Sequence, residues 1–213
     1  LVVPFPPGGG TDAIARVVAV KLSALWGHEM VIENKGGGAT SIGTDAVAKA
    51  EADGHTVLLQ SVPLAVNKFL FATLPFDPVD DFHMISTVVF FPFVVAVKSN
   101  HRFQTLADLI AEAKAKPETL TYSSVGVGST QHLAGEWLSS MAGIKMIHVP
   151  YKGGGPSGAA IVAGETQAMI ATIGSLYPHI KAKRVRPLGV TSEQRVDQFP
   201  DVPAIAETLP GYE

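Results

Sequence analysis

Hydrophobic positions along this 213-residue chain follow two alternating periods. Short runs rich in Val, Ile and Leu predict strands, and longer stretches with apolar residues three and four apart predict helices. "LVVPF" (1–5) predicts the first strand. From Asp12 to Trp26 the residues Ile14, Val17, Val18, Leu22 and Leu25 share one helical face. "MVIENK" (30–35) then reads as a strand, 44–52 as a helix and "HTVLLQS" (55–61) as a third strand. "TLADLIAEAKAKP" (105–117) predicts a helix closed by Pro117, whose ring admits no further turn. "LTYSSV" (120–125), "MIHVPY" (146–151), "TQAMIATI" (166–173) and "VRPLGVTS" (185–192) predict strands, separated by helices near 129–142, 157–163 and 175–183. The longest apolar run, "MISTVVFFPFVVAV" (84–97), contains Ser86, Thr87 and Pro92. It falls short of the about 20 residues that a membrane helix needs, so it is read as buried strand.

Strands alternating with helices throughout define an α/β chain with mainly parallel sheet, arranged as two similar halves. "VPFPPGGG" (3–10) and "VPYKGGG" (149–155) share a strand end, an aromatic residue, a glycine triplet and a helix start, which hints at an internal duplication.

Composition narrows the chemistry. With 46% hydrophobic and 16% charged residues, the chain buries a real core and is not disordered. A net charge of -3 without a basic stripe argues against a nucleic-acid partner and leaves small molecules as the expected ligands. The absence of cysteine excludes disulfides, thiolate metal sites and a cysteine nucleophile. Leu1 already stands inside the first predicted strand, so any signal peptide is expected to lie outside this chain.

Four glycine-rich segments lead into predicted helices: "PPGGGTD", "NKGGGATSIG", "SVGVGSTQH" and "YKGGGPSG". Glycine lets a ligand approach the main chain closely, and the first N–H groups of a helix lack intrahelical partners. Such junctions suit a carboxylate or a phosphate. Gly8, Gly10 and Ala13 also satisfy G-x-G-x-x-[GA] after a strand, with Glu33 near the end of the next one, which is a dinucleotide-binding oxidoreductase pattern. Pro6 and Pro7 interrupt the tight turn that this pattern requires. A Walker loop is excluded because no Lys-Ser or Lys-Thr follows the glycines. Ser129 with His132 is explained by helix capping rather than catalysis, and the seven histidines show no metal-ligand spacing.

"VPFPPGGGTDAIAR", "VIENKGGGATSIGTDAVAKAEADGHTVLL", "LPFDPVDDF", "SVGVGSTQHLAGE", "HVPYKGGGP", "YPHIKAKRVRPLGVTSEQR" and "FPDVPAIAETLPGYE" occur in order across nearly the whole chain. This ordered set resembles the Bug (TctC-type) solute receptors of tripartite tricarboxylate transport systems. The resemblance implies a periplasmic binding protein of the two-lobe, type II α/β fold, with a ligand cleft between the lobes. Lobe I is expected over 1–95 with 192–213, incomplete at its C-terminal end, and lobe II over 96–191.

Such a receptor captures a small organic carboxylate and hands it to membrane permease subunits. It is expected to be a periplasmic monomer without enzymatic activity, cofactor or metal. The resemblance implies that the first loop offers main-chain N–H groups to one carboxylate, with Phe5, Gly9, Gly10, Thr11 and Asp12 as the expected contacts. Ser61 is expected in the same cleft because ligands gather at strand carboxyl ends, and Gly128, Ser129, Thr130 and Gln131 are expected to meet the anion from the lobe II helix start. The resemblance adds Ala171 and Thr172, where relatives often carry an acid. Ala171 in that place predicts preference for a carboxylate without an amine, with Phe5, Phe90, Phe91 and Phe93 as apolar wall. Strands 90–97 and 185–192 are expected to cross between the lobes as a hinge, and Lys152 is read as a solvated lysine at a helix start.

Overall fold

The computed structural model describes residues 1–212. They divide into two compact units, Leu1–Val88 with Gly128–Thr130, and Val89–Val127 with the chain from Gln131 onward.

In the first unit β1 (Val2–Val3) is central and fully covered. It pairs in parallel with β2 (Glu33–Asn34), and on its other side Val2 bridges Leu58. The strand is short because Pro4 has no N–H to continue the ladder. Helix α1 (Gly10–Trp26) follows and ends at Gly27 in the left-handed conformation. Its buried stripe runs through Asp12, Ala15 and Ala19 rather than through the bulkier residues of the predicted face; Val17 and Leu25 are exposed. Helix α2 (Ser41–Ala48) lies earlier than the predicted 44–52, and the strand expected over 55–61 is reduced to the Leu58 bridge. Helix α3 (Pro63–Leu70) was not anticipated, although Pro63 at its first turn is a favourable start.

The second unit is built on a five-stranded mixed sheet in the order β5-β4-β6-β3-β7. Its strands are β3 (Phe93–Lys98), β4 (Thr121–Ser124), β5 (Ile147–Pro150), β6 (Ala168–Thr172) and β7 (Val185–Val190). β4 runs parallel to β5 and β6, whereas β3 is antiparallel to β6 and β7. Helix α4 (Leu106–Ala115) starts at a capping box in which the Thr105 hydroxyl accepts from the Asp108 N–H and the Asp108 carboxylate accepts from the Thr105 N–H. Helices α5 (Thr130–Ala142), α6 (Gly154–Ala163) and α7 (Ile173–Lys181) each follow a parallel strand. Alternation along β3 divides the core between two faces. Phe93, Val95 and Val97 pack with Leu106, Leu109, Tyr122 and Leu138, while Val94 and Ala96 pack with Ile161, Met169 and Leu176.

Three expectations change here. Of the apolar run 84–97 only Phe93–Lys98 is strand; Met84, Ile85 and Phe90 are 81%, 80% and 91% exposed. Pro92 precedes the strand, and among the described residues no strand pairs with 84–92. Residues 192–212, expected with the first lobe, pack on the second unit. Val202 and Ala204 enter one of its cores and Ile205 and Tyr212 the other, and the Val190 N–H donates to the Pro203 carbonyl at 2.9 Å. An Arg195–Glu207 fork with bonds of 2.8 and 2.7 Å ties this segment to itself. The two supposed hinge strands, β3 and β7, pair with each other inside the second unit.

Candidate functional site

Each unit presents glycine loops at the carboxyl ends of parallel strands, where ligands gather in open α/β sheets. In the first unit the loop between β1 and α1 folds around a buried carboxylate. Asp12, 2% exposed, accepts at Oδ2 from the Gly8 N–H and from Arg16 Nε, both at 2.9 Å. Its Oδ1 accepts from Asn34 Nδ2 at 3.0 Å and from Arg16 Nη2 at 3.2 Å. These donors, the Gly8 amide foremost, hold the Asp12 carboxyl below the ordinary carboxylate range despite its burial. Asn34 also donates to the Phe5 carbonyl at 3.1 Å, so β2 braces the loop.

The Asp12 carboxylate is thus turned inward as the loop's internal anion, which leaves the expected main-chain contact of Asp12 untouched. Gly8 takes φ +80°, the left-handed region glycine favours, to aim its N–H at that carboxylate. Gly9 is the N-cap and supplies no side chain, and the first backbone bond of α1 runs from Ala13 to Gly9. The N–H groups of Gly10, Thr11 and Asp12 lie ahead of that bond, at the positive end of a 17-residue helix.

The loop after β2 is strained. Gly37, Gly38, Ala39 and Thr40 have successive φ values of 122°, 56°, 49° and 77°. Left-handed Ala and Thr cost on the order of 1 kcal/mol or more each, so the surroundings must hold them. Asn67 Nδ2 donates to the Ala39 carbonyl at 3.0 Å. Gln60 Nε2 donates to the Thr40 and Thr44 hydroxyls at 3.0 and 2.9 Å, and its Oε1 accepts from the Ser61 N–H at 2.9 Å. Gln60 and Asn67 were not singled out in the sequence, because only the fold places them beside this loop. Ser61 is half-buried at the third strand end, with its N–H already committed to Gln60.

In the second unit the ends of β4, β5 and β6 lie side by side. The Tyr151 N–H donates to the Ser124 carbonyl at 3.1 Å, joining the first two. A Cβ on Gly154, at the start of α6, would lie 3.7 Å from Ser175 Cβ, so the starts of α6 and α7 adjoin. Gly128, with φ +76°, and Ser129 precede α5 and Thr130 opens it, all three counted with the first unit, and Gln131 continues the helix in the second. Thr172 caps α7: its hydroxyl accepts from the Ser175 N–H at 3.3 Å and donates to Ser175 Oγ at 3.0 Å. Ala171 is 1% exposed within the sheet core, opposite Val94 of β3. Period-two alternation turns its methyl into that core, so the methyl lines no ligand surface and the preference for a carboxylate without an amine loses the argument from Ala171. Phe93 is also core, Phe91 packs on it edge-on at 5.6 Å, and Lys152 is exposed.

A polar strip missed by the sequence reading lies behind the α5 start. Parallel register sets His148 of β5 beside Tyr122 of β4, with ring centres 5.0 Å apart. His148 Nε2 is 2.6 Å from Ser124 Oγ, and its ring stacks on His132 of α5 at 4.0 Å. The Tyr122 hydroxyl donates to Glu136 Oε1 at 2.6 Å. Burial, aided by the neighbouring His132, brings the His148 pKa down to about 4. Burial lowers His132 as well, and raises Tyr122 with help from Glu136. Ser124 is fully buried, so no substrate reaches its Oγ.

Among the described residues no group of three or more His, Cys, Asp or Glu is arranged to hold a metal, and no helix is long and apolar enough to cross a membrane. The dinucleotide pattern fails on geometry. Its Gly8 N–H is consumed by Asp12, and Glu33 is exposed and paired with Lys35 at 3.1 Å.

Two α/β units with glycine loops at the carboxyl ends of their parallel strands are the architecture of periplasmic-binding-protein-like receptors. The sequence model of TctC, the tripartite tricarboxylate transporter family receptor, matches residues 14–213, and the chain belongs to that family. It is 42% identical to the UPF0065 protein in the tcbD-tcbE intergenic region of a Pseudomonas species, over all of this chain and 64% of that protein. It is 37% identical to BugT of Bordetella pertussis, over 97% of this chain and 64% of that protein. The chain therefore spans under two thirds of the length of these relatives.

Among solved structures, Rpa4515 of R. palustris with adipate superposes with a TM-score of 0.93 at 34% identity, covering 100% of this chain and 72% of the other. Malate-bound MatC from Rhodopseudomonas palustris gives 0.89 at 27% identity, covering 100% and 73%. The family and these neighbours are binding proteins, and none lends support to the oxidoreductase alternative.

Proposed function

We propose that this chain is the carboxylate-capturing part of a periplasmic receptor that delivers a small organic acid to the permease subunits of a tripartite-type transporter, without catalysing a reaction. The observation that carries the reading is the Asp12-locked loop, which turns its one buried carboxylate inward and leaves the first-turn amides of α1 for an external anion. An acid held by amides and hydroxyls avoids the large desolvation cost of a buried ion pair, which suits reversible capture. Phe5, Gly9, Gly10 and Thr11 form the contact surface in the first unit, with Ser61 beside them. Gly128, Ser129, Thr130 and Gln131 form the contacts at the α5 start. Asp12 acts by shaping the loop, and Thr172 by capping α7. The adipate and malate in the two superposed relatives support dicarboxylates as the ligand class.

Thermal unfolding with and without ligand tests this. Adipate or malate at about 100 times its Kd should add roughly 2.7 kcal/mol of stability, and NAD should add none. A melting temperature unmoved by every carboxylate in a panel overturns the reading. Ser129→Ala should weaken binding by about 0.5–1.5 kcal/mol if its hydroxyl donates one hydrogen bond. Calorimetry measures this, and unchanged affinity would restrict the contact to main chain.

A further inference from the structure

We propose that His148 is a positioning residue for ligand capture: through Ser124 it holds the Gly126–Gln131 segment in the shape that meets the anion. This rests on the receptor reading above, which assigns Gly128–Gln131 to the ligand.

The chain of contacts is continuous. Ser124, the last residue of β4, receives the Gly126 N–H on Oγ at 3.0 Å, and its hydroxyl lies in donating geometry 3.1 Å from the Gly126 carbonyl. The hydroxyl therefore sits inside the turn that begins the loop. Its remaining neighbour is His148 Nε2 at 2.6 Å. The single hydroxyl proton goes to the Gly126 carbonyl or to Nε2 according to the His148 tautomer, and in both arrangements the Ser124 oxygen accepts from the Gly126 N–H. The ring thereby fixes the hydroxyl that receives that N–H.

Gly126 sits at φ +136°, a conformation glycine favours, and its N–H and carbonyl both turn toward the Ser124 hydroxyl. The imidazole cannot swing away, because it is stacked on His132 in the first turn of α5 and set beside Tyr122. The same ring thereby touches both sides of the proposed contact segment, the turn that enters it and the helix that leaves it.

The protonation state agrees. The titratable groups bearing on His148 are Tyr122 of the adjacent strand and His132 and Glu136 of the covering helix. Of these only Glu136 favours an imidazolium, and its Oε1 is occupied by the Tyr122 hydroxyl. Burial and His132 prevail and bring the pKa to about 4. His148 is accordingly a neutral imidazole at neutral pH.

The test uses adipate as probe at pH 7.5, by calorimetry, together with hydrogen exchange at the Gly126 amide. His148→Leu keeps the bulk and removes the polar partner of Ser124. It should weaken adipate by about tenfold and speed Gly126 exchange by a similar factor. His148→Gln restores a side chain that can donate to or accept from Ser124 and should return both readouts to within about threefold of the unaltered chain. A His148→Leu protein with unchanged affinity and unchanged exchange overturns the proposal. So does a His148→Gln protein as weak as His148→Leu, since packing alone would then explain the loss. If the unaltered chain binds neither adipate nor any other acid, the receptor reading fails. Gly126 exchange in the two variants then still decides whether His148 holds the turn.

Discussion

Asp12 shows how much of a residue's setting its local sequence leaves unsaid. Its position at the glycine loop is evident from "PPGGGTD", yet its four donors come from Gly8, Arg16 and, across 22 residues of chain, Asn34. Asp12→Ala strands those donors and should cost about 1–3 kcal/mol in urea unfolding. An unchanged midpoint would show that the loop stands without it. Because the native Asp12 pKa is lowered, its stabilising contribution is present above the ordinary value of 3.8 and is lost as pH falls through the lower native value. The serine and histidine that do interact, Ser124 and His148, lie 24 positions apart. Ser129 and His132, near neighbours in sequence, drew attention first. Only the β4–β5 register brings the distant pair together.

At the scale of elements, glycines decide close approaches. A methyl at Gly135 of α5 would land on the Tyr122 ring, and one at Gly43 of α2 would lie 2.6 Å from the Lys35 carbonyl oxygen and 2.8 Å from Pro4 Cβ. Gly135→Ala should therefore destabilise the second unit by roughly 1–3 kcal/mol through overpacking. Chemical unfolding followed by Trp137 fluorescence checks it, and a neutral substitution would mean that Tyr122 moves aside freely.

Topology also re-registers the suspected duplication. β1 and β4 are the central parallel strands of their units, and "KGGG" occurs after the neighbouring strand in both, at Lys35–Gly38 after β2 and at Lys152–Gly155 after β5. The likeness of 3–10 to 149–155 is thus offset by one strand–helix step. Local motifs repeat at every such junction, and only strand order tells which junctions correspond.

For the molecule as a whole, the lowered histidines set the direction of its acid response. His148 and His132 are held neutral in the fold, whereas an unfolded histidine titrates near 6.5. The unfolded chain therefore takes up more protons as pH falls below that value, and stability declines until the native His148 pKa of about 4 is passed. Melting temperature should fall between pH 6.5 and 4, and His148→Gln should flatten that slope. Identical slopes in the two proteins would assign the acid limb to other groups.

By itself, the sequence determined the α/β class, the positions of most helices and of the strands of the second unit, the glycine loops and the family. These properties are local: periodicity, capping residues, prolines and ordered motifs act within about one element's length. What only the tertiary structure decided depends on contacts between distant segments. Such contacts cut the apolar run 84–97 back to Phe93–Lys98, where β6 and β7 supply partners. They gathered 192–212 onto the second unit by burying Val202, Ile205 and Tyr212. They also turned Asp12 inward, buried Ala171 and paired Ser124 with His148. An apolar residue's burial, or a polar residue's partner, is set by what the fold brings against it, and that information lies in the neighbours rather than in the residue itself.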